Sequence, residues 1–218
     1  MNSQSEEDYL KALYHLEMEF DSVSTNSIAD YLDMKPSSVT DMLKKLAEKK
    51  FINYQKYKGT SLTKKGRLIA LSIIRKHRLW ETFLVEKLGF GWDQVHIIAE
   101  QLEHIKSEEL IENLDNFLGN PKYDPHGDPI PNKDGEIEKM NQKLLVELKA
   151  SQKGIITGVK KGTASLLNYL DKEKVKLGDS IKVIEILEFD GTYIVEINKI
   201  KLTFSEKICQ NLLLETND

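Results

Sequence analysis

Apolar residues recur every three to four positions up to about residue 118 and every second position beyond residue 154, so a helical part precedes a strand-rich part. Residues 5–20, SEEDYLKALYHLEMEF, put Tyr9, Leu10, Leu13, Leu16 and Phe20 on one side of a helix, with Ser5 as its cap and acids in its first turn. STNSIADYLDM predicts a short helix capped by Thr25 or Asn26, with Ile28, Ala29 and Leu32 facing inward. In KPSSVTDMLKKLAEKKF, a start near Ser37 and Ser38 leads into a buried side of Val39, Met42, Leu43 and Leu46. Two short successive helices, the second rich in lysine, form a helix-turn-helix pattern. FINYQKYKGTSLTKKG then alternates and turns at Lys58-Gly59, as a basic hairpin or wing would.

One long helix is expected from about Lys64 to Leu88, stopped by Gly89. HIIAEQLEHIKSEE (96–109) predicts a second, and SEELIENLDNFLG a third, with Ser107 as cap and Gly119 as stop. NPKYDPHGDPIPNKDGEI holds four of the five prolines and is therefore irregular. MNQKLLVELKASQKG is polar enough to connect two domains, and from Gly154 three alternating runs with Asp190-Gly191 between two of them predict a small β-barrel.

Charge changes the picture because of where it lies. The net charge of −4 argues against nucleic acid, yet Lys35 to Arg67 carry ten Lys/Arg against only Asp41 and Glu48. Such a basic island between acidic flanks is a footprint for phosphate contact. In a helix-turn-helix the start of the second helix reaches base edges, which points to Ser37, Ser38, Thr40 and Asp41. Lys35, Lys44, Lys45, Lys58 and Lys64 are the candidates for the phosphate backbone, although lysines of this kind also serve simply to solubilise a surface. The lone Cys209 excludes an intrachain disulfide and reads as a small buried hydrophobe. With no apolar signal core at the N-terminus and no long apolar run, a cytoplasmic protein that uses no membrane is the expectation.

Residues 96–109 raise the chemical question. On one helix His96, Glu100, Glu103 and His104 fall within an arc of roughly 100°, opposite Ile97, Ile98, Leu102 and Ile105. An acidic face usually meets only water. Here, however, His77 and Glu81 stand four apart on the long helix, and His96 and Glu100 repeat that spacing, so each pair can chelate one ion. Imidazole and carboxylate without sulfur suit Mn²⁺ or Fe²⁺ over Cu⁺, and Zn²⁺ would bind the same set. His15 and His126 read as structural or exposed.

These motifs, EDYLKALYHLE, KPSSVTDMLKKL, YKGTSLTKKG, RKHRLWETFL, VHIIAEQLEHI and GDPIP, resemble the DtxR/MntR family of metal-dependent bacterial transcriptional repressors in its long form. The resemblance implies a mainly α protein with a small β domain: a winged helix-turn-helix over 1–72, a helical dimerisation and metal-binding domain over 73–141, a linker over 142–149 and a C-terminal SH3-like (FeoA-like) β-barrel over 150–218. It also implies a regulatory site of Asp8, Glu100, Glu103 and His104 and an ancillary site of His77, Glu81 and His96. Iron-sensing relatives carry Met at the position of Asp8 and Cys at that of Glu100, so carboxylates there imply Mn²⁺, with Fe²⁺ as the alternative and Zn²⁺, Co²⁺ or Cd²⁺ as substitutes in vitro. Short manganese sensors have Glu where Lys11 stands. Long members complete the ancillary site from the barrel, a role left here to Thr163, Ser165 or water.

The expected function is that of a homodimeric repressor without enzyme activity or small-molecule substrate. It would bind inverted-repeat double-stranded DNA and control metal-uptake genes, with two acidic clusters, one near Asp8 and one at 100–104, that repel until a cation joins them. A metalloenzyme would need an open coordination position and usually a general base; four protein ligands leave little room for that, and no nucleophile motif accompanies them. A metal-independent winged-helix regulator is the third class.

Overall fold

The computed structural model describes residues 2–55, 59–91, 94–137, 142–160 and 163–216, so Lys58 lies outside the described residues. Two compact bodies emerge: residues 1–77, 100–111 and 131–136 form the first, and residues 78–99, 112–130 and 137–218 the second. Among the described residues no helix is long and apolar enough to cross a membrane.

The first body is built on α1 (Gln4–Glu17), α2 (Thr25–Tyr31) and α3 (Pro36–Glu48), followed by the antiparallel hairpin β1 (Ile52–Gln55) and β2 (Gly59–Leu62). Tyr9, Leu10, Leu13, Ile28, Leu43 and Leu46 meet in its core, which is the periodicity read from the sequence realised as packing. The helix starts differ from expectation. Ser3, not Ser5, caps α1: its hydroxyl accepts from the Glu6 N–H at 3.3 Å while Glu6 accepts from the Ser3 N–H at 3.1 Å, a reciprocal capping box. Ser24 caps α2 instead of Thr25 or Asn26, accepting from the Ser27 N–H at 3.0 Å. Pro36 opens α3 as its first residue, where a missing N–H costs nothing. The long α4 (Lys64–Leu88) starts in this body, its Gly66 pressed so close to the Phe51 carbonyl that a Cβ would lie 2.0 Å from it.

Glu6 does more than cap. Its side chain is 1% exposed and receives Lys49 at 2.6 Å and Lys45 at 3.0 Å, so it ties α1 to α3. Burial opposes the carboxylate charge, but the hydrogen bonds from Lys49 and Lys45 outweigh it and hold the pKa down at about 2.

In the second body, α4 continues past Arg78, α5 (Val95–Leu102) contributes its first turns, and most of α6 (Glu108–Phe117) follows. Ser107 caps α6 as expected, accepting from the Leu110 N–H at 3.2 Å. The β domain is one antiparallel sheet in the order β3-β8-β4-β5-β6-β7, made of β3 (Gln142–Leu144), β4 (Lys153–Val159), β5 (Ser180–Leu187), β6 (Thr192–Ile197), β7 (Ile200–Phe204) and β8 (Leu212–Glu215). Helices α7 (Ala164–Lys172) and α8 (Glu206–Cys209), absent from the sequence reading, complete it. The stretch expected as a linker, 142–149, instead supplies β3 and places Leu145 and Leu148 in the sheet's core, because its apolar residues find partners across β8. Cys209 is fully buried, and burial pushes its thiol up to about 12, the inert state expected of it.

The proline-rich segment is irregular but ordered by one side chain. Asp124 Oδ1 accepts from the backbone N–H groups of His126 (2.8 Å) and Asp128 (2.9 Å), and Arg78 Nε lies 3.7 Å from Oδ2. Gly127 then passes β4 at positive φ (+88°), where a Cβ would lie 2.0 Å from the Gly158 Cα.

Glu6→Gln should therefore lower stability by about 2 kcal/mol at pH 7, after discount for half-exposed lysines. Because the folded pKa is depressed, the wild-type contribution is present above the ordinary 4.5 and is lost as pH falls towards about 2. Urea unfolding between pH 7 and pH 2 should show the difference between the two proteins shrinking over that window.

Candidate metal centre

The polar ladder does not lie on one helix. Helix α5 ends at Leu102, and Glu103 and His104 sit in the turn that follows, closed by the Ile105 N–H on the Leu102 carbonyl at 3.1 Å. The buried side of α5 is Val95 and Ala99, whereas Ile97, expected inside, is 65% exposed. The 3.6-residue period assumed for residues 96–109 breaks at the turn, which re-aims Glu103 inward. Buried Lys76 on α4 holds this turn from behind, its Nζ donating to the Ile105 carbonyl at 3.3 Å.

Within the first body Asp8, Glu103 and His104 each bring one donor atom to within 4.8 Å of the others. His104 Nε2 is 3.1 Å from Asp8 Oδ1 and 3.9 Å from Glu103 Oε1. An octahedral ion with bonds near 2.1 Å keeps neighbouring donors about 3 Å apart, so the spacing is close to what such an ion requires. The donor chemistry, two carboxylates and an imidazole, also fits a borderline or hard divalent cation. Glu100 stands exposed on the last turn of α5, outside that trio, yet its charge is felt at Asp8 and at Tyr31. Burial, opposed by His104 and Lys11 and reinforced by Glu103 and Glu100, raises the Asp8 carboxyl above its usual range.

Two residues of this centre were not read from the sequence as part of it. Glu7 is buried and its Oε2 lies 2.8 Å from His104 Nδ1, so the carboxylate accepts a hydrogen bond from the Nδ1 side of the imidazole and Nε2 is turned towards Asp8. Lys11 places its ammonium 2.7 and 2.9 Å from the two oxygens of Glu103. His77 Nδ1 is also 2.5 Å from Glu103, and although burial opposes the charge, His77 and Lys11 together hold the Glu103 carboxyl below its ordinary range. The mutual repulsion of acids expected between α1 and residues 100–104 is thus offset by Lys11 and by the two hydrogen-bonding faces of His104. The signal for Glu7 was present in SEEDY: on a helix start, adjacent carboxylates can face different partners.

The ancillary set is divided. His77 belongs to the first body, where Glu103 and Lys11 surround it. Glu81 and His96 belong to the second, with His96 Nδ1 3.3 Å from Glu81 Oε1. His126 Nε2 also approaches that Glu81 oxygen at 3.7 Å, a proximity that its place among prolines concealed. Thr163 and Ser165 are exposed, their hydroxyls 3.2 Å apart.

Of the residues expected to meet DNA, Lys35, Ser37, Ser38, Asp41 and Lys44 are exposed around the start and outer face of α3, and Lys64 at the start of α4. Thr40 is half-buried and donates its hydroxyl to the Pro36 carbonyl at 2.9 Å, Asp41 pairs with Lys44 at 3.2 Å, and Lys45 is held by Glu6.

A helix-turn-helix with a wing, a carboxylate–imidazole cluster between its first helix and the turn after α5, and a small β domain make an architecture that fits a metal-responsive regulator. Family comparison agrees: the iron dependent repressor N-terminal DNA binding domain matches residues 1–60, the iron dependent repressor metal binding and dimerisation domain residues 63–132, and the FeoA domain residues 143–216. A manganese-dependent transcriptional repressor solved in complex with manganese superposes with a TM-score of 0.76 at 32% identity, covering 97% of this chain and 99% of that one. The HTH-type transcriptional regulator MntR of Oceanobacillus iheyensis is 34% identical over 124 residues, 57% of this chain and 84% of the relative. The iron-dependent repressor IdeR of Mycobacterium tuberculosis is 35% identical over 125 residues, 57% of this chain, and the match spans about half (54%) of that relative's length. The chain belongs to the iron-dependent repressor family, the DtxR/MntR group of metal-dependent transcriptional repressors.

Glu7→Gln removes the charge that orients His104 while preserving its shape, and should weaken divalent-cation binding by about 10–100-fold with the fold intact. Calorimetric titration of the full chain with Mn²⁺, beside far-ultraviolet dichroism, measures both.

Proposed function

We propose that this protein is a Mn²⁺-activated, homodimeric DNA-binding repressor of metal-uptake genes, with Asp8, Glu100, Glu103 and His104 as its regulatory ligands. The observation that carries the reading is the convergence of Asp8, from α1, with Glu103 and His104, from the turn after α5. Oxygen donors at Asp8 and Glu100, where iron-sensing relatives carry sulfur, favour Mn²⁺. Fe²⁺ is the second reading, because the IdeR relatives are named for iron. His77, Glu81 and His96 are the proposed ancillary ligands, on the strength of the family resemblance, with His77 and Glu81 at i, i+4.

When bound, the divalent ion supplies the positive charge and fixed coordination directions that set these carboxylates at one point. Asp8 anchors α1 to that point, and Glu103 and His104 anchor the turn. Glu7 keeps Nε2 of His104 directed at the site. Helix α1 passes the constraint to the DNA-reading part through the grip of Glu6 on Lys45 and Lys49 and through the Tyr9 hydroxyl, which lies 3.2 Å from Met34 Sδ. The start of α3, with Lys35, Ser37, Ser38, Thr40 and Asp41, then enters the major groove, while Lys44, Lys45, Lys58 and Lys64 serve phosphates. Leu88, Ile97 and Phe117 expose large apolar side chains on the second body, the kind of surface a second copy covers. Because metal favours the DNA-binding geometry, DNA must tighten metal binding by the same factor.

Gel shifts on duplexes selected from random sequence with Mn²⁺-loaded protein, repeated anaerobically with Mn²⁺, Fe²⁺, Zn²⁺ and chelator, test this reading. Mn²⁺ should give the strongest shift and chelator none; shifts indifferent to metal and chelator contradict it. Glu103→Ala should abolish the metal-dependent shift, and Asp8→Asn, which leaves the Lys11–Glu103 pair in place, should weaken it.

A further inference from the structure

We propose that Lys11 is a resident cation of this centre, which binds Glu103 and so joins α1 to the turn after α5 by a link that does not depend on a divalent ion. The proposal deepens the metal-dependent reading above and rests on it. Three observations carry it. The Lys11 ammonium takes both oxygens of Glu103, at 2.7 and 2.9 Å, and lies 3.4 Å from His77 Nδ1. The pair is shielded, with side chains 13% and 2% exposed, so the ammonium acts where charge is weakly screened. It also connects the same two elements, one turn along α1 from Asp8, that a divalent ion held by Asp8, Glu103 and His104 would connect.

A carboxylate as buried as Glu103 needs a positive partner at all times, because an unpaired buried charge is costly. A lysine on α1 meets that need continuously. A divalent ion engaging one Glu103 oxygen leaves the other for Lys11, so the two cations share the carboxylate. The docking of α1 on the turn then has a constant part, from Lys11, and a metal-dependent part, from the ion. The size of the metal response is set by their ratio, which makes Lys11 a positioning residue that tunes the switch.

The test is hydrogen exchange on the full chain, followed in peptides covering residues 4–17 and 100–106, with and without Mn²⁺. Lys11→Met keeps the aliphatic length and removes the charge. In chelator it should exchange at least about tenfold faster than wild type in both peptides, and Mn²⁺ should restore most of the protection. Lys11→Arg should exchange like wild type in chelator and thereby separates loss of charge from misfolding. Unchanged exchange in Lys11→Met overturns the proposal, as does a loss in Lys11→Met that Mn²⁺ fails to restore, since Lys11 would then be ordinary packing. Equilibrium dialysis of wild type against Mn²⁺ tells these failures from failure of the metal reading: a chain that takes up no Mn²⁺ sinks both, whereas normal uptake confines the failure to Lys11.

Discussion

Everything in the first body turns on one desolvated carboxylate. Glu103 is 1% exposed, in a place where its charge survives only with positive or hydrogen-donating neighbours. Lys11 from α1 and His77 from α4 supply them, and His104 beside it is in turn held by Glu7 and Asp8. The need to compensate a buried charge thus pulls three separate parts of the chain to one point, and the hydrophobic core of Tyr9, Leu10 and Leu13 keeps α1 in register while it happens. The proposed cation site fits such a place, because donor atoms of Asp8, Glu103 and His104 already lie within 4.8 Å of one another.

Helix α1 is the part that makes the centre consequential. Over its first two turns, Glu6 faces the lysines of α3, Glu7 and Asp8 face His104, Tyr9 reaches Met34 and Lys11 holds Glu103. The same helix therefore touches both the turn that carries Glu103 and His104 and helix α3. Under the proposed function, a change in how tightly the turn is held would reach Lys45 and Lys49 through α1, because Glu6 on that helix pairs with both lysines. Coupling of this kind would be mechanical and short.

How much was legible in the sequence follows from which features are local. The helices of the winged part, the hairpin and the cap at Ser107 are set by neighbours within a few residues, and pattern alone placed them. Capping at Ser3 and Ser24 was missed because several hydroxyls stand near each start, and the winner is decided by the reach of Glu6 in one case and Ser27 in the other. The ladder was misplaced as geometry: α5 stops at Leu102, and the contact of Lys76 with the Ile105 carbonyl that holds the turn after it is not visible in the sequence. Non-local pairings were hidden altogether. β3 and Leu145 read as a linker because their partners on β8 lie some seventy residues further on, at Leu213 to Glu215. Glu7 drew no reading and His126 read as structural or exposed, because each contacts a residue far away in sequence.

The most direct test of the central claim, that a cation joins α1 to the turn after α5, is anomalous diffraction at the manganese edge from crystals of the full chain grown with Mn²⁺. A peak bonded to Asp8, Glu100, Glu103 and His104, with Glu7 still on Nδ1 of the imidazole, is the predicted result. A map in which manganese sits elsewhere and those four side chains point apart would contradict it.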